Sequence, residues 1–222
     1  MTLIQTMRSV LSPPHPAGRP FIIGGAVLAL VGLFVTAWLF ALGVLFTLFC
    51  LYFFRDPDRV APPRPGVVVA PADGRVVSVV QVTPPPELGI GTAPVWRVAT
   101  FLSVLNVHVN RVPVGGTVTA VAYKHGKFLN ASVDKASDDN ERNALAIRLP
   151  DGQAVAVVQI AGLIARRIVC AVRQGDPVQT GARFGIIRFG SRTDLYLPEG
   201  VLPLVSVGQT MVGGETVMAQ LG

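Results

Sequence analysis

VVVAPADGRVVSVVQV, residues 67–82, shows the pattern of most of the chain: short runs of β-branched residues broken at Pro71, Asp73 and Gly74. Such runs are strands, because branched side chains are stiff at χ1 and fit a pleated surface, while Gly and Pro interrupt the ladder. The pattern recurs in VWRVATFLSV (95–104), NVHVNRVPVGGTVTAVAY (106–123), ALAIRL (144–149) and AVAVVQIAGLIARRIVCAV (154–172). No segment after residue 54 has a convincing helical period, although ASVDKASDDNER (131–142) has room for a turn or two in a long loop. Two later segments share a punctuation, Gly175 and Gly181 in GDPVQTGARFG, and Gly208 and Gly214 in GQTMVGGETVM. Each reads as tight turns needing positive φ between apolar strands. The predicted fold is mainly β, a small barrel or sandwich of short hairpins over residues 67–222.

Upstream the chemistry differs. Residues 21–54 read FIIGGAVLALVGLFVTAWLFALGVLFTLFCLYFF, without one Asp, Glu, Lys, Arg or His. About 20 such residues span a bilayer, so this is a membrane-embedded helical segment, too long for a secretory signal and lacking a cleavage site. One straight helix of this length would reach roughly 50 Å, against a hydrocarbon core of roughly 30 Å. Either a tilted span or a hairpin bending near residues 36–43 resolves the excess. Arg8 and Arg19 before the run and Arg55, Arg59 and Arg64 after it put positive charge at both ends. Positive charge marks the cytoplasmic side, which favours the hairpin and places the remainder in the cytoplasm. The chain then divides into a cytoplasmic tail (1–20), the membrane segment (21–54), a linker RDPDRVAPPRPG (55–66) and the β domain (67–222).

Composition bounds the rest. The 222 residues are 50% hydrophobic and only 14% charged, against a usual charged fraction of about 25%, which excludes disorder and disfavours a plain soluble enzyme. A net charge of +6 suits nucleic acid or anionic lipid alike, and the membrane segment decides for lipid. Cys50 and Cys170 imply neither a disulfide framework nor zinc. No metal site is expected, since His15, His108 and His125 each lack a second ligand at the right spacing. No glycine-rich nucleotide loop opens a helix.

Isolated polar residues among apolar strands remain. Asp73 in APADG suits a turn, His108 in NVHVNR points opposite to its valine neighbours, and Gly190-Ser191 in RFGSRTDLYLP suits another turn. Asn140, Glu141 and Arg142 read singly as a solvated loop, and His125 as an exposed turn residue.

Together the parts say more. FFRDPDR (53–59), APADG (70–74), FLSVLNVHVNRVPVGG (101–116), NER (140–142), QIAGLIARRIV (159–169) and RFGSRTDLYLP (188–198), in this order, resemble the phosphatidylserine decarboxylase family in its short bacterial branch. The β hairpins also look like lipoyl-carrier barrels. The family resemblance implies a proenzyme that cuts itself at Gly190-Ser191 and converts Ser191 into a covalent pyruvoyl cofactor. It further implies that this group takes the substrate amine as a Schiff base and turns phosphatidylserine into phosphatidylethanolamine and CO2. His108, whose imidazole has an unperturbed pKa of about 6.5 suited to proton transfer at neutral pH, is the candidate to protonate the carbanion left by decarboxylation and to assist the Ser191 attack. By the same resemblance Asp73 orients a histidine or helps remove the Ser191 proton. Long-branch members carry a second histidine where Arg111 stands and a small hydroxyl residue where Arg192 stands. Arg192 is the candidate for binding lipid phosphate or carboxylate. The implied partners are the phospholipid, the bacterial inner membrane at its cytoplasmic face, the two cleaved chains for each other and a second copy in a homodimer, with no nucleic acid. Decarboxylation of another amino-acid headgroup lipid and a non-enzymatic barrel adaptor are the alternative readings.

Overall fold

The computed structural model describes residues 12–126, 140–162, 167–188 and 191–222. The expected loop turn within 131–139 and Gly190 lie outside the described residues. The chain forms two compact units, Met1–Asp58 and Arg59–Gly222.

In the first unit a 3-10 turn, Pro16–Gly18, leads into α1 (Arg19–Val35), which is followed after one residue by α2 (Ala37–Phe53). Thr36 breaks the helix by adopting extended backbone (φ −154°, ψ 148°), and its hydroxyl caps α2 by accepting the Leu39 N–H at 3.2 Å. The long apolar run is therefore a hairpin, bent at the first residue of the expected window. Glycine sets how closely the helices pack. A Cβ on Gly32 would lie 2.2 Å from the Phe40 nitrogen, and one on Gly43 2.3 Å from the Ala29 nitrogen. Small residues at a helix crossing let backbones touch where lipid offers no hydrophobic drive to association. The outward side chains are apolar, with Phe34 80% and Trp38 87% exposed. Pro16–Val35 is long and apolar enough to cross a membrane, and Ala37–Phe53 is shorter.

The second unit is built of β1 (Val67–Val69), β2 (Gly74–Val82), β3 (Val95–Leu102), β4 (Val109–Arg111), β5 (Gly116–Lys124), β6 (Arg142–Arg148), β7 (Ala154–Ala161), β8 (Ile168–Cys170), β9 (Pro177–Val178), β10 (Arg183–Ile187), β11 (Ser191–Tyr196), β12 (Thr210–Met211) and β13 (Val217–Gln220). Eight strands form a curled antiparallel sheet in the order β12-β2-β3-β11-β7-β6-β5-β9. Two small sheets accompany it, β4-β10-β8 and β1-β13. The main core joins Val76, Val98, Leu145, Val157 and Leu195 of the large sheet to Phe184 of β10 and Met218 of β13. A second cluster, including Val95, Ala156, Ile160 and Tyr196, lies on the other face, as period-2 alternation requires.

A pseudo-two-fold repeat organises this unit. Val69 N–H donates to the Pro113 carbonyl and Arg111 N–H to the Pro71 carbonyl, each at 2.8 Å. In the same manner Gly214 donates to Ala70 and Gly181 to Val112, while Gly208 donates to Val76 and Gly175 to Val118, all at 2.8 Å. The four glycines of the two punctuated segments have φ of 94°, 78°, 94° and 83°, the left-handed turns read from the sequence.

Phe184 is fully buried in the main core. Phe184→Ala should destabilise the protein by about 3–5 kcal/mol, read as a lower urea midpoint at unchanged slope in detergent solution.

Candidate active site

Ser191 opens β11, where it pairs with Leu102 of β3 on one side and Ala161 of β7 on the other. It is fully buried, and its hydroxyl has no hydrogen-bond partner among the described residues. A buried hydroxyl left without a partner costs about 1–3 kcal/mol. Gly190, the other half of the expected scissile bond, lies outside the described residues.

Two neighbouring segments bring His108 to this end of the sheet. Leu102, the Ser191 partner, is followed by the loop that ends in His108, and the Ile187 N–H, four residues ahead of Ser191, donates to the His108 carbonyl at 3.2 Å. The ring is fully buried, with Nδ1 2.9 Å from the Asn106 carbonyl. A carbonyl only accepts, so Nδ1 donates to it. The Asn106 side chain stiffens the loop by accepting from the Ser103 N–H at 2.9 Å and hydroxyl at 2.8 Å.

Asp73 reaches the same end. β2 pairs Arg75 with Phe101, and Phe101 pairs with Arg192, so the turn carrying Asp73 and Gly74 comes level with Leu102 and Ser191. Gly74 permits this, since a Cβ there would lie 2.2 Å from the Phe101 oxygen. The Asp73 carboxylate accepts the Gly213 N–H at 2.7 Å and Arg59 Nη2 at 3.0 Å. Arg59, read from sequence as a membrane-surface charge, thus belongs beside Asp73 and also lies 3.8 Å from Glu215. Arg111, at the position of the long-branch histidine, is buried and donates to the Gly181 carbonyl at 3.2 Å. Its aliphatic stem and that of Arg59 flank Gly214.

Arg192 is placed differently. Alternation turns it to the face opposite Ser191, where it is 1% exposed and grips both carboxylate oxygens of Asp194, at 2.6 and 2.9 Å. Arg97 stands 3.8 Å from the same carboxylate. A cleft on this face is lined by Arg97, Arg142, Glu87, Asp194 and Tyr196.

The solvated-loop reading of residues 140–142 is corrected. Asn140 is fully buried and Glu141 nearly so, while Arg142 begins β6. Asn140 Nδ2 donates to the Ala161 carbonyl at 2.8 Å, and the Glu141 carbonyl accepts the Ala161 N–H at 2.9 Å. Glu141 Oε1 also accepts from the Ile168 N–H at 3.1 Å and the Tyr123 hydroxyl at 2.8 Å, which with burial raises the Tyr123 pKa. Charged residues before a short apolar run look solvated one at a time. What buries these is their bonding to Ala161, beside Ser191. His125 is exposed, as expected, and packs edge-on against Tyr123.

Residues 46–219 match the phosphatidylserine decarboxylase family model. The chain is 71% identical over 221 residues to the phosphatidylserine decarboxylase proenzyme of Granulibacter bethesdensis, covering 100% of this chain and 91% of that protein. It is 63% identical to the proenzymes of that name from Gluconobacter oxydans, over 226 residues, and Gluconacetobacter diazotrophicus, over 225, with 100% of each chain covered.

The Tyr196 phenol is pushed up to about 12, first by burial and next by the Asp194 charge, against the lowering pull of Arg97 and Arg192. A folded-state value above the usual one of about 10 favours the neutral phenol. The stability this contributes is therefore full below about pH 10 and lost as pH rises toward 12. Tyrosinate absorbance should show one tyrosine ionising near pH 12, a phase that Tyr196→Phe removes.

Proposed function

Because the chain belongs to the phosphatidylserine decarboxylase family and is a carboxy-lyase for that phospholipid, we propose that it matures by cutting its own Gly190-Ser191 bond. Ser191, freed at the cut, becomes a pyruvoyl group. The observation that carries this reading is the buried, unpartnered Ser191 hydroxyl at the strand end shared with His108 and Asp73. The non-enzymatic adaptor reading falls with membership of the family.

The steps use atoms of the chain and one water. Ser191 Oγ gives up its proton and attacks the Gly190 carbonyl carbon, the C–N bond breaks, and the freed nitrogen takes a proton, leaving an ester. Loss of the Ser191 Cα proton then breaks the Cβ–O bond and releases residues 1–190 with a C-terminal carboxylate. Water replaces the nitrogen, which leaves as ammonia. His108 Nε2 is the group suited to take the first proton, and Asp73, bonded to Arg59, is the second acceptor at this end.

The resulting N-terminal keto group supplies an electrophilic carbonyl that draws electrons from the substrate as CO2 leaves. His108, having taken up a proton at Nε2 from solvent, would then deliver it to the carbon that lost CO2. Residues 191–222 stay bound after the cut because β11 lies inside the large sheet, β12 pairs with β2 and β13 with β1. The apolar hairpin and its basic flanks support anchoring in the bacterial inner membrane, with residues 67–222 on the cytoplasmic face.

Intact mass spectrometry tests the maturation. The wild-type chain should appear as two fragments with a modified Ser191, and Ser191→Ala as one uncut chain of 23.5 kDa; an uncut wild type with unmodified Ser191 would refute the proposal. His108→Ala should lower decarboxylation by about 10²–10⁴-fold, measured as CO2 release. Single cysteines replacing Ser12 and Arg64, in a chain without Cys50 and Cys170, should both react from the cytoplasmic side. Labelling from opposite sides would replace the hairpin with a single span.

A further inference from the structure

Three buried polar atoms without partners among the described residues gather on the Ser191 side of the large sheet: Thr100 Oγ1, Thr193 Oγ1 and Asn110 Nδ2. Their residues are at most 1% exposed. The strand register explains their proximity. Thr193 of β11 lies opposite Thr100 of β3 and Gln159 of β7, and Gln159 lies opposite Asn143 of β6. Asn143, Gln159, Thr193 and Thr100 thus form one row, on the face to which Ser191 points and two residues along the strand from it. At about 3.4 Å per residue this is roughly 7 Å.

Asn110 of β4 closes the row from the small sheet. Asn143 Nδ2 donates to Gln159 Oε1 at 2.9 Å, and Gln159 Nε2 donates to Asn110 Oδ1 at 2.7 Å. Each amide accepts on its oxygen and donates onward from its nitrogen, so the chain has one direction and ends on Asn110 Nδ2. Gly185, the register partner of Asn110, leaves room for the crossing, since a Cβ there would lie 3.0 Å from Gln159 Nε2. A completed amide chain that ends on an unused donor, beside a row with two unused hydroxyls, calls for an acceptor that the described residues do not supply.

Resting on the decarboxylase reading above, we propose that Thr100, Thr193 and Asn110 form the subsite for the carboxylate of the substrate's serine headgroup. The chemistry of the donors fits the fate of this group. The carboxylate loses its charge as CO2 forms, so a buried arginine would stabilise the ground state more than the transition state and raise the barrier. Neutral hydroxyl and amide donors orient it with a weaker grip. Arg192, the candidate from the sequence, faces the other way and holds Asp194.

Thr193→Val and Thr100→Val remove one hydroxyl each at nearly constant volume. Intact mass should show both variants cut as completely as wild type. The KM for phosphatidylserine in mixed micelles should rise about tenfold per hydroxyl, as loss of a hydrogen bond to a charged group implies. Inhibition by phosphatidylethanolamine, which keeps the amine and lacks the carboxylate, should stay within about twofold of wild type on the same basis. Thr193→Ser should restore the KM. Equal shifts for both lipids, or no shift for either, would overturn the subsite, and stalled self-cleavage would do so by placing the hydroxyls in maturation. A wild-type chain that never cuts itself takes down both readings, whereas a cut, active wild type with unaltered variants takes down the subsite alone.

Discussion

The ladder that holds β11 between β3 and β7 is the constraint on which the rest depends. Six residues, Ser191 to Tyr196, are paired on both sides, and all six are buried. A central strand offers its first residue what a surface loop cannot: a dry environment, a fixed backbone and neighbours set by register. The buried Ser191 hydroxyl, the level position of Asp73 and the row of polar side chains two residues along all follow from this pairing. Moving the strand by one residue would send Ser191 to the face of Arg97 and Tyr196 and bring Arg192 to that of Thr100 and Gln159.

The two-fold repeat supplies the scaffold, and the site is assembled where the repeat is broken. Pro71, Gly74 and Val76 recur as Pro113, Gly116 and Val118, with matching hydrogen bonds to the two glycine-rich hairpins. Asp73 stands where the second copy has Gly115. In the first copy a carboxylate accepts the Gly213 N–H, while in the second the Gly115 N–H donates to the Thr180 hydroxyl at 2.9 Å. Arg111 likewise stands where the first copy has Val69. Symmetry accounts for the turns and the core, and the departures from it carry charge to one end of the sheet.

How much of this was legible depends on the range of the physics. Positive φ at four glycines and strands in the valine runs are local consequences of residue type, and the sequence shows them, whereas it places the hairpin bend only within residues 36–43 and the structure puts it at Thr36. The pairing of Asp73 with Arg59 was not legible, because an arginine in a proline-rich linker after an apolar run looks like a lipid contact until the fold returns it to the β domain. Burial of Asn140 and Glu141 escaped for a similar reason, since their partners Ala161 and Ile168 are distant in sequence. The orientation of Arg192 could have been read. Once 191–196 is taken as a strand, period-2 alternation sets Arg192 on the face opposite Ser191.

Alternation also divides labour between the two faces of β11. Ser191 and Thr193 face neutral polar groups and the main core, while Arg192, Asp194 and Tyr196 face a buried ionic network with Arg97. A chain cut before Ser191 acquires a new terminus in the middle of a sheet, and termini fray unless tied down. The bidentate grip of Arg192 on Asp194 fixes the second residue of the new chain through a side chain, independently of the severed bond. Pairing with Ala161, itself held by Asn140 and Glu141, fixes the first. Arg192 thus holds Asp194 from the face of the strand opposite Ser191, and under the proposed cut this grip would keep the new end of residues 191–222 in register.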